Sequence, residues 1–157
     1  MEPSIVPAPA SLTMVDAAPF ALTADVTVDG EVDAAAALTA LVAARTGLVL
    51  SAGGDAGTGT GPAIALRVEA GGAPESYRLS AREASLTVTG ADAAGLFYGI
   101  QTLGQLVRQA GPGGGWIVPA VDVADAPRFA YRGVMLDVAR HFQIGRASCR
   151  ERVFRYV

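Results

Sequence analysis

Lysine is absent from this 157-residue sequence, and its 12 strongly basic side chains are all arginine. With 31 alanines and 19 glycines, that absence points to a GC-rich coding bias more than to a function. Cysteine occurs once, at Cys149, which excludes an internal disulfide framework and an all-cysteine metal site. Histidine also occurs once, at His141, and a lone histidine without a second candidate ligand is not a metal site. No cofactor or metal is therefore expected. Long apolar runs are missing too: Ala, Gly, Thr or a charge interrupts every stretch before the roughly 20 apolar residues that a membrane span needs, so no membrane association is expected. The length excludes a whole (β/α)₈ barrel, which takes about 250 residues. Met1 is followed by Glu-Pro-Ser without a basic or apolar leader segment, which leaves secretion and the cytoplasm both open.

What is present is unevenly distributed. Residues 1–126 hold 5 arginines against 13 acids (−8), and residues 127–157 hold 7 arginines against 2 acids (+5). A basic half can mark a nucleic-acid surface. Here it has neither aromatic interleaving nor a recognition-helix pattern, so nucleic acid is not an expected partner.

Pro3, Pro7, Pro9 and Pro19 keep the first 19 residues from holding a regular element for long. Phe20 to Val28 reads as one or two short strands, with turn chemistry at Asp29-Gly30. A helix is expected over Ala34 to Arg45, capped by Asp33 and stopped by Gly47, and a strand at Leu48 to Leu50. Ala52 to Pro62 is glycine-rich but lacks the Gly-Lys-Ser/Thr and following helix of a phosphate loop; it reads as a strand connection. Further strands are expected at Ala63 to Val68, Tyr77 to Leu79, Ser85 to Thr89, Trp116 to Val118 and Val121 to Val123. The strongest helical pattern is Ala91 to Gln109, where Leu96, Ile100, Leu103 and Val107 form one stripe. Gly99 and Gly104 within it would let the helix lie close against a sheet. The expected fold is α+β: an antiparallel or mixed sheet with two amphipathic helices on one face.

Several segments together resemble a known family. Tyr77-Arg78-Leu79 followed by Leu86-Thr87-Val88-Thr89-Gly90 is similar to paired strands of the accessory domain that precedes the catalytic barrel in family 20 glycoside hydrolases, the β-N-acetylhexosaminidases. Gly95-Leu96-Phe97-Tyr98-Gly99-Ile100-Gln101-Thr102-Leu103-Gly104-Gln105-Leu106 resembles the helix of that domain. Asp125-Ala126-Pro127-Arg128-Phe129-Ala130-Tyr131-Arg132-Gly133-Val134-Met135-Leu136-Asp137-Val138-Ala139-Arg140-His141-Phe142 resembles its junction and the first barrel strand, and Ile5-Val6-Pro7-Ala8-Pro9 the start of the domain. The resemblance implies an accessory domain over 1–125 and the beginning of an incomplete (β/α)₈ barrel over 126–143. From Ile144 to Val153 the likeness stops, and the string resembles a translated DNA-sequencing adapter; residues 144–157 are expected to be a non-native tail.

In the family, the resemblance implies, terminal β-linked N-acetylhexosamine is hydrolysed with retention, the sugar's own acetamido oxygen attacking the anomeric carbon. An adjacent Asp-Glu pair assists: Glu protonates the leaving oxygen and Asp orients the acetamido group. This chain has no Asp-Glu dipeptide, so it has no catalytic residue to name and is expected to be inactive alone. Arg132 matches the family arginine that binds sugar hydroxyls, and a guanidinium fork can bridge two neighbouring hydroxyls. The alternative is a structural ion pair at the junction, and the place of Arg132 near the beginning of the strand, not its C-terminal end, counts against a direct contact. Asp137, Arg140 and His141 are read as structural, and Cys149 falls in the adapter-like tail. The competing function is a non-catalytic support or carbohydrate-interaction domain; few exposed aromatics are available for a sugar platform.

Overall fold

The computed structural model describes residues 3–52 and 62–133. In chain order the elements are β1 (Ser11–Met14), β2 (Phe20–Leu22), β3 (Thr27–Asp29), α1 (Val32–Thr46), β4 (Ser51–Ala52), β5 (Ala63–Val68), β6 (Tyr77–Ala81), β7 (Ser85–Gly90), α2 (Ala93–Leu106), β8 (Arg108–Gln109), β9 (Trp116–Val118) and β10 (Val121–Asp125). The chain divides after Pro127 into two units, and every one of these elements belongs to the first. A seven-stranded sheet runs β1-β10-β6-β7-β5-β3-β4, and a three-stranded sheet runs β2-β9-β8. The large sheet is mixed: β1, β10, β6 and β7 pair antiparallel, and β7, β5, β3 and β4 pair parallel.

Period-two alternation decides what each strand buries. In β6, Tyr77, Leu79 and Ala81 are buried while Arg78 is exposed; in β7, Leu86 and Val88 are buried between half-buried Thr87 and Thr89. Ile64 and Leu66 of β5 and Val121 and Val123 of β10 continue the apolar side. Against it α2 packs on β7, β6 and β5, and α1 packs on α2, β3 and β4. Leu96, Ile100, Leu103, Leu106 and Val107 are buried, whereas Phe97 is 49% exposed.

Element boundaries depart from the sequence expectations where tertiary pairing intervenes. The proline-rich lead-in contributes β1, because Ser11–Met14 finds an antiparallel partner in β10. Asp33 does not cap α1: the helix starts at Val32 with Glu31 as N-cap, and Asp33 lies in the first turn, where its charge suits the helix dipole. Gly30 fixes that start. Its φ is 145°, and a Cβ there would fall 2.5 Å from Leu66 O, so the chain turns tightly against β5 and the helix follows at once. Gly47 ends α1 in the left-handed region at φ 77°, its N–H donating to Ala43 O. The strand expected at Leu48 to Leu50 lies instead at Ser51–Ala52, in register with Thr27 and Val28. The helix expected to reach Gln109 stops at Leu106; Val107 is extended and Arg108–Gln109 pairs with Trp116–Ile117.

Asp92 caps α2 through Oδ1, which accepts from Gly95 N at 2.7 Å, while its Oδ2 accepts from Glu75 N at 2.8 Å and ties the cap to the segment before β6. These two bonds, that from Gly95 first, hold its carboxyl below the ordinary value of 3.8. A depressed carboxyl contributes stability that is present above its unfolded value and lost as pH falls through its folded one. Urea titrations between about pH 6 and pH 2 should therefore show Asp92→Asn with a flatter acid limb than the wild type. Identical limbs would remove Asp92 from the acid response.

Tyr77 and Thr102, 6% and 5% exposed, share a hydrogen bond of 2.6 Å between their hydroxyls. Burial, above all, pushes the Tyr77 phenol above its ordinary value of 10; its contribution is present below that pH and lost as pH rises beyond it. Tyr77→Phe or Thr102→Val alone strands one buried hydroxyl and is expected to cost about 1–3 kcal/mol. The double variant strands neither, and should recover most of that loss in a double-mutant cycle. Strictly additive losses would contradict it.

Candidate functional site

Arg132 lies in the second unit, of which Arg128–Gly133 are described. These six residues form neither helix nor strand. Arg132 is exposed, and its Nη1 donates to Phe129 O at 2.8 Å, a bond that returns three residues along the chain and directs the guanidinium. Phe129 and Tyr131 beside it are 71% and 89% exposed. The segment expected to form the first barrel strand, with Asp137, Arg140 and His141, lies outside the described residues, as does Cys149. Arg132 thus lies in a short stretch that also carries two exposed rings. Chemically, the guanidinium can donate charge-assisted hydrogen bonds in a fixed plane; it supplies no base, acid or nucleophile. Among the described residues no group of three or more His, Cys, Asp or Glu is arranged to hold a metal ion, and no helix is long and apolar enough to cross a membrane.

The first unit carries a feature that the sequence reading missed. On the polar side of the large sheet, a cleft of about 470 Å³ is lined by Ser11, Glu69, Ser76, Arg78, Thr89 and Asp125, among others. It shares Ser11, Arg78, Thr89 and Ala124 with an adjoining cleft of about 250 Å³ that reaches Ser80, Thr87 and Asp122. A partial signal was available: alternation in Tyr77–Ala81 and Ser85–Gly90 sets Arg78, Ser80, Thr87 and Thr89 on one face. The pairing of β1 and β10 beside them, which adds Ser11 and Asp122 to that face, is non-local and has no sequence signature.

Residues 2–126 match the sequence profile of glycosyl hydrolase family 20, domain 2. A β-N-acetylhexosaminidase of Cellulomonas fimi is 34% identical over 154 residues, covering 88% of this chain and 29% of that protein. The fold is similar to that of a solved family 20 β-N-acetylglucosaminidase, with 58% identity and a TM-score of 0.75 over 90% of this chain and 26% of the other. It is also similar to the family 20 β-N-acetylhexosaminidase of Streptomyces coelicolor A3(2), at 34% identity and a TM-score of 0.72 over 91% of this chain and 31% of that one. The chain thus spans less than a third of the length of these relatives. A profile match over most of the sequence, with its helices and sheets in the same arrangement, means that the chain belongs to glycosyl hydrolase family 20.

Proposed function

We propose that this chain is the accessory α+β domain and the first barrel strand of a β-N-acetylhexosaminidase that removes terminal β-linked N-acetylhexosamine by the substrate-assisted retaining route. The observation that carries the reading is the domain 2 match over residues 2–126, joined by relatives whose names state that activity. In this reading residues 1–125 are the support, with both helices on one face of the seven-stranded sheet, and 126–143 begin the barrel. Arg132 binds hydroxyls of the terminal sugar, and the substrate is an N-acetylhexosamine-containing glycan or chitooligosaccharide. The Asp-Glu pair lies outside these 157 residues, so the chain by itself does not turn over. Residues 144–157 are an adapter-derived tail; an unbroken natural reading frame over the last 45 nucleotides would remove that part of the proposal.

The test is hydrolysis of a chromogenic N-acetyl-β-glucosaminide by the chain as it stands and by the uninterrupted gene product. Activity is expected only in the longer protein. Turnover by pure material ending at Val157, or none by the longer product, would overturn the reading.

A further inference from the structure

We propose that the polar trough on the open face of the large sheet, centred on Arg78, is a glycan-binding site of the accessory domain. Arg78 is exposed on β6 and lines both adjoining clefts. Two other arginines near this face are committed to partners: Arg67 pairs with Asp29, and Arg82 chelates Asp122 at 2.9 and 2.7 Å. Among the described residues Arg78 has no hydrogen bond or ion pair, and the side chains of Glu69, Ser11, Ser76 and Thr89 have none either. Asp125 is engaged elsewhere, accepting from Ala10 N at 3.0 Å and facing the Tyr77 hydroxyl. One cleft thus gathers a guanidinium, the Glu69 carboxylate and three hydroxyls whose bonding capacity the fold leaves largely unused.

The charge balance selects the ligand. An anion attracted to Arg78 meets Glu69 and the −8 of residues 1–126; a cation attracted to Glu69 meets the guanidinium. A neutral ligand bearing many hydroxyls and amides satisfies both, because vicinal hydroxyls donate to carboxylates and accept from a guanidinium fork. At about 470 Å³ the larger cleft lies in the usual range of small-ligand sites, roughly 300–1,000 Å³. Its continuation over Ser80 and Thr87 suits an extended oligosaccharide better than a single ring. Tyr77 is the one aromatic in the lining and is buried, so hydrogen bonds carry the contact and affinity is weak, with a Kd on the order of 1 mM. The choice of a β-linked N-acetylglucosamine oligomer rests on the function proposed above. The site would hold the glycan on the accessory domain, through residues that take no part in bond cleavage.

The full chain, which lacks the Asp-Glu pair, can be titrated with tetra-N-acetylchitotetraose by amide NMR, with cellotetraose as a second probe. Saturable shifts at Ser11, Gly72, Arg78 and Thr89 are expected. Arg78→Ala and Thr89→Val replace accessible side chains without touching the core; circular dichroism should confirm their fold, and Arg78→Ala should weaken binding at least tenfold. Absence of shifts up to about 10 mM, ten times the expected constant, would overturn the proposal, as would Arg78→Ala binding like the wild type. Binding of cellotetraose alone would overturn the N-acetylglucosamine assignment. Because the readout is binding without turnover, a longer gene product that hydrolyses while this cleft binds nothing refutes the cleft alone. A cleft that binds while the longer product is inactive refutes the hydrolase reading alone.

Discussion

Gly95→Ala is expected to destabilise the chain by about 3 kcal/mol or more, even though alanine is the better helix former by about 1 kcal/mol. Gly95 sits in the first turn of α2, where the helix crosses the segment leading into β6. A Cβ there would fall 2.2 Å from Ser76 O and 3.0 Å from the carbonyl carbons of Glu75 and Ser76. Every one of those atoms is backbone, so no rotamer change relieves the clash. Ser76 O accepts from Ala91 N, and Glu75 N donates to the cap Asp92; pushing the segment away breaks the bonds that fix the start of the helix. Gly104 in the same helix is the contrast. There a Cβ would meet Leu41 Cδ2 at 2.6 Å, the mobile end of a half-buried side chain. Gly104→Ala should therefore stay within about 1 kcal/mol of the wild type, strain and helix propensity offsetting each other. Urea midpoints at unchanged m-value measure both. Equal midpoints for the two variants would contradict the argument.

In the uninterrupted gene product, Arg132→Ala is expected to lower kcat/KM about 100-fold, which corresponds to about 2.7 kcal/mol of lost transition-state stabilisation. In the role proposed for Arg132, two charge-assisted hydrogen bonds to neighbouring sugar hydroxyls would account for that magnitude. Arg132→Lys should recover little, because an ammonium cannot reproduce the planar fork. The junction ion-pair alternative makes the opposite forecast: lysine would restore most of the function, and the alanine variant would lose thermal stability in step with activity. Parallel kinetics and melting curves on the alanine and lysine variants separate the two. The bond from Nη1 to Phe129 O shows that the side chain already has one local anchor, so a shorter replacement also loses its direction.

The sequence by itself determined the elements whose information is local, and through them the family. Ala63–Val68 and Ser85–Gly90 alternate over five or six residues, Gly47 supplies a left-handed stop, and the Leu96 to Leu106 stripe fills one side of α2; each signal is contained within its own stretch. Two of these stretches, Leu86–Gly90 and the α2 stripe, also carried the resemblance to the family that the profile match then established. Tertiary structure alone decided the rest. Two-residue strands such as Arg108–Gln109 and Ser51–Ala52 have no period to read, and exist because Trp116–Ile117 and Thr27–Val28 offer partners. The glycines of α2 looked alike in sequence, yet Gly99 faces Val88 and Tyr77 of the sheet while Gly104 faces Leu41 of α1, since proximity is set by what packs opposite. The polar trough arises for the same reason: its side chains come from five separate stretches, and only the strand order β1-β10-β6-β7 brings their unused hydrogen-bonding groups to one place.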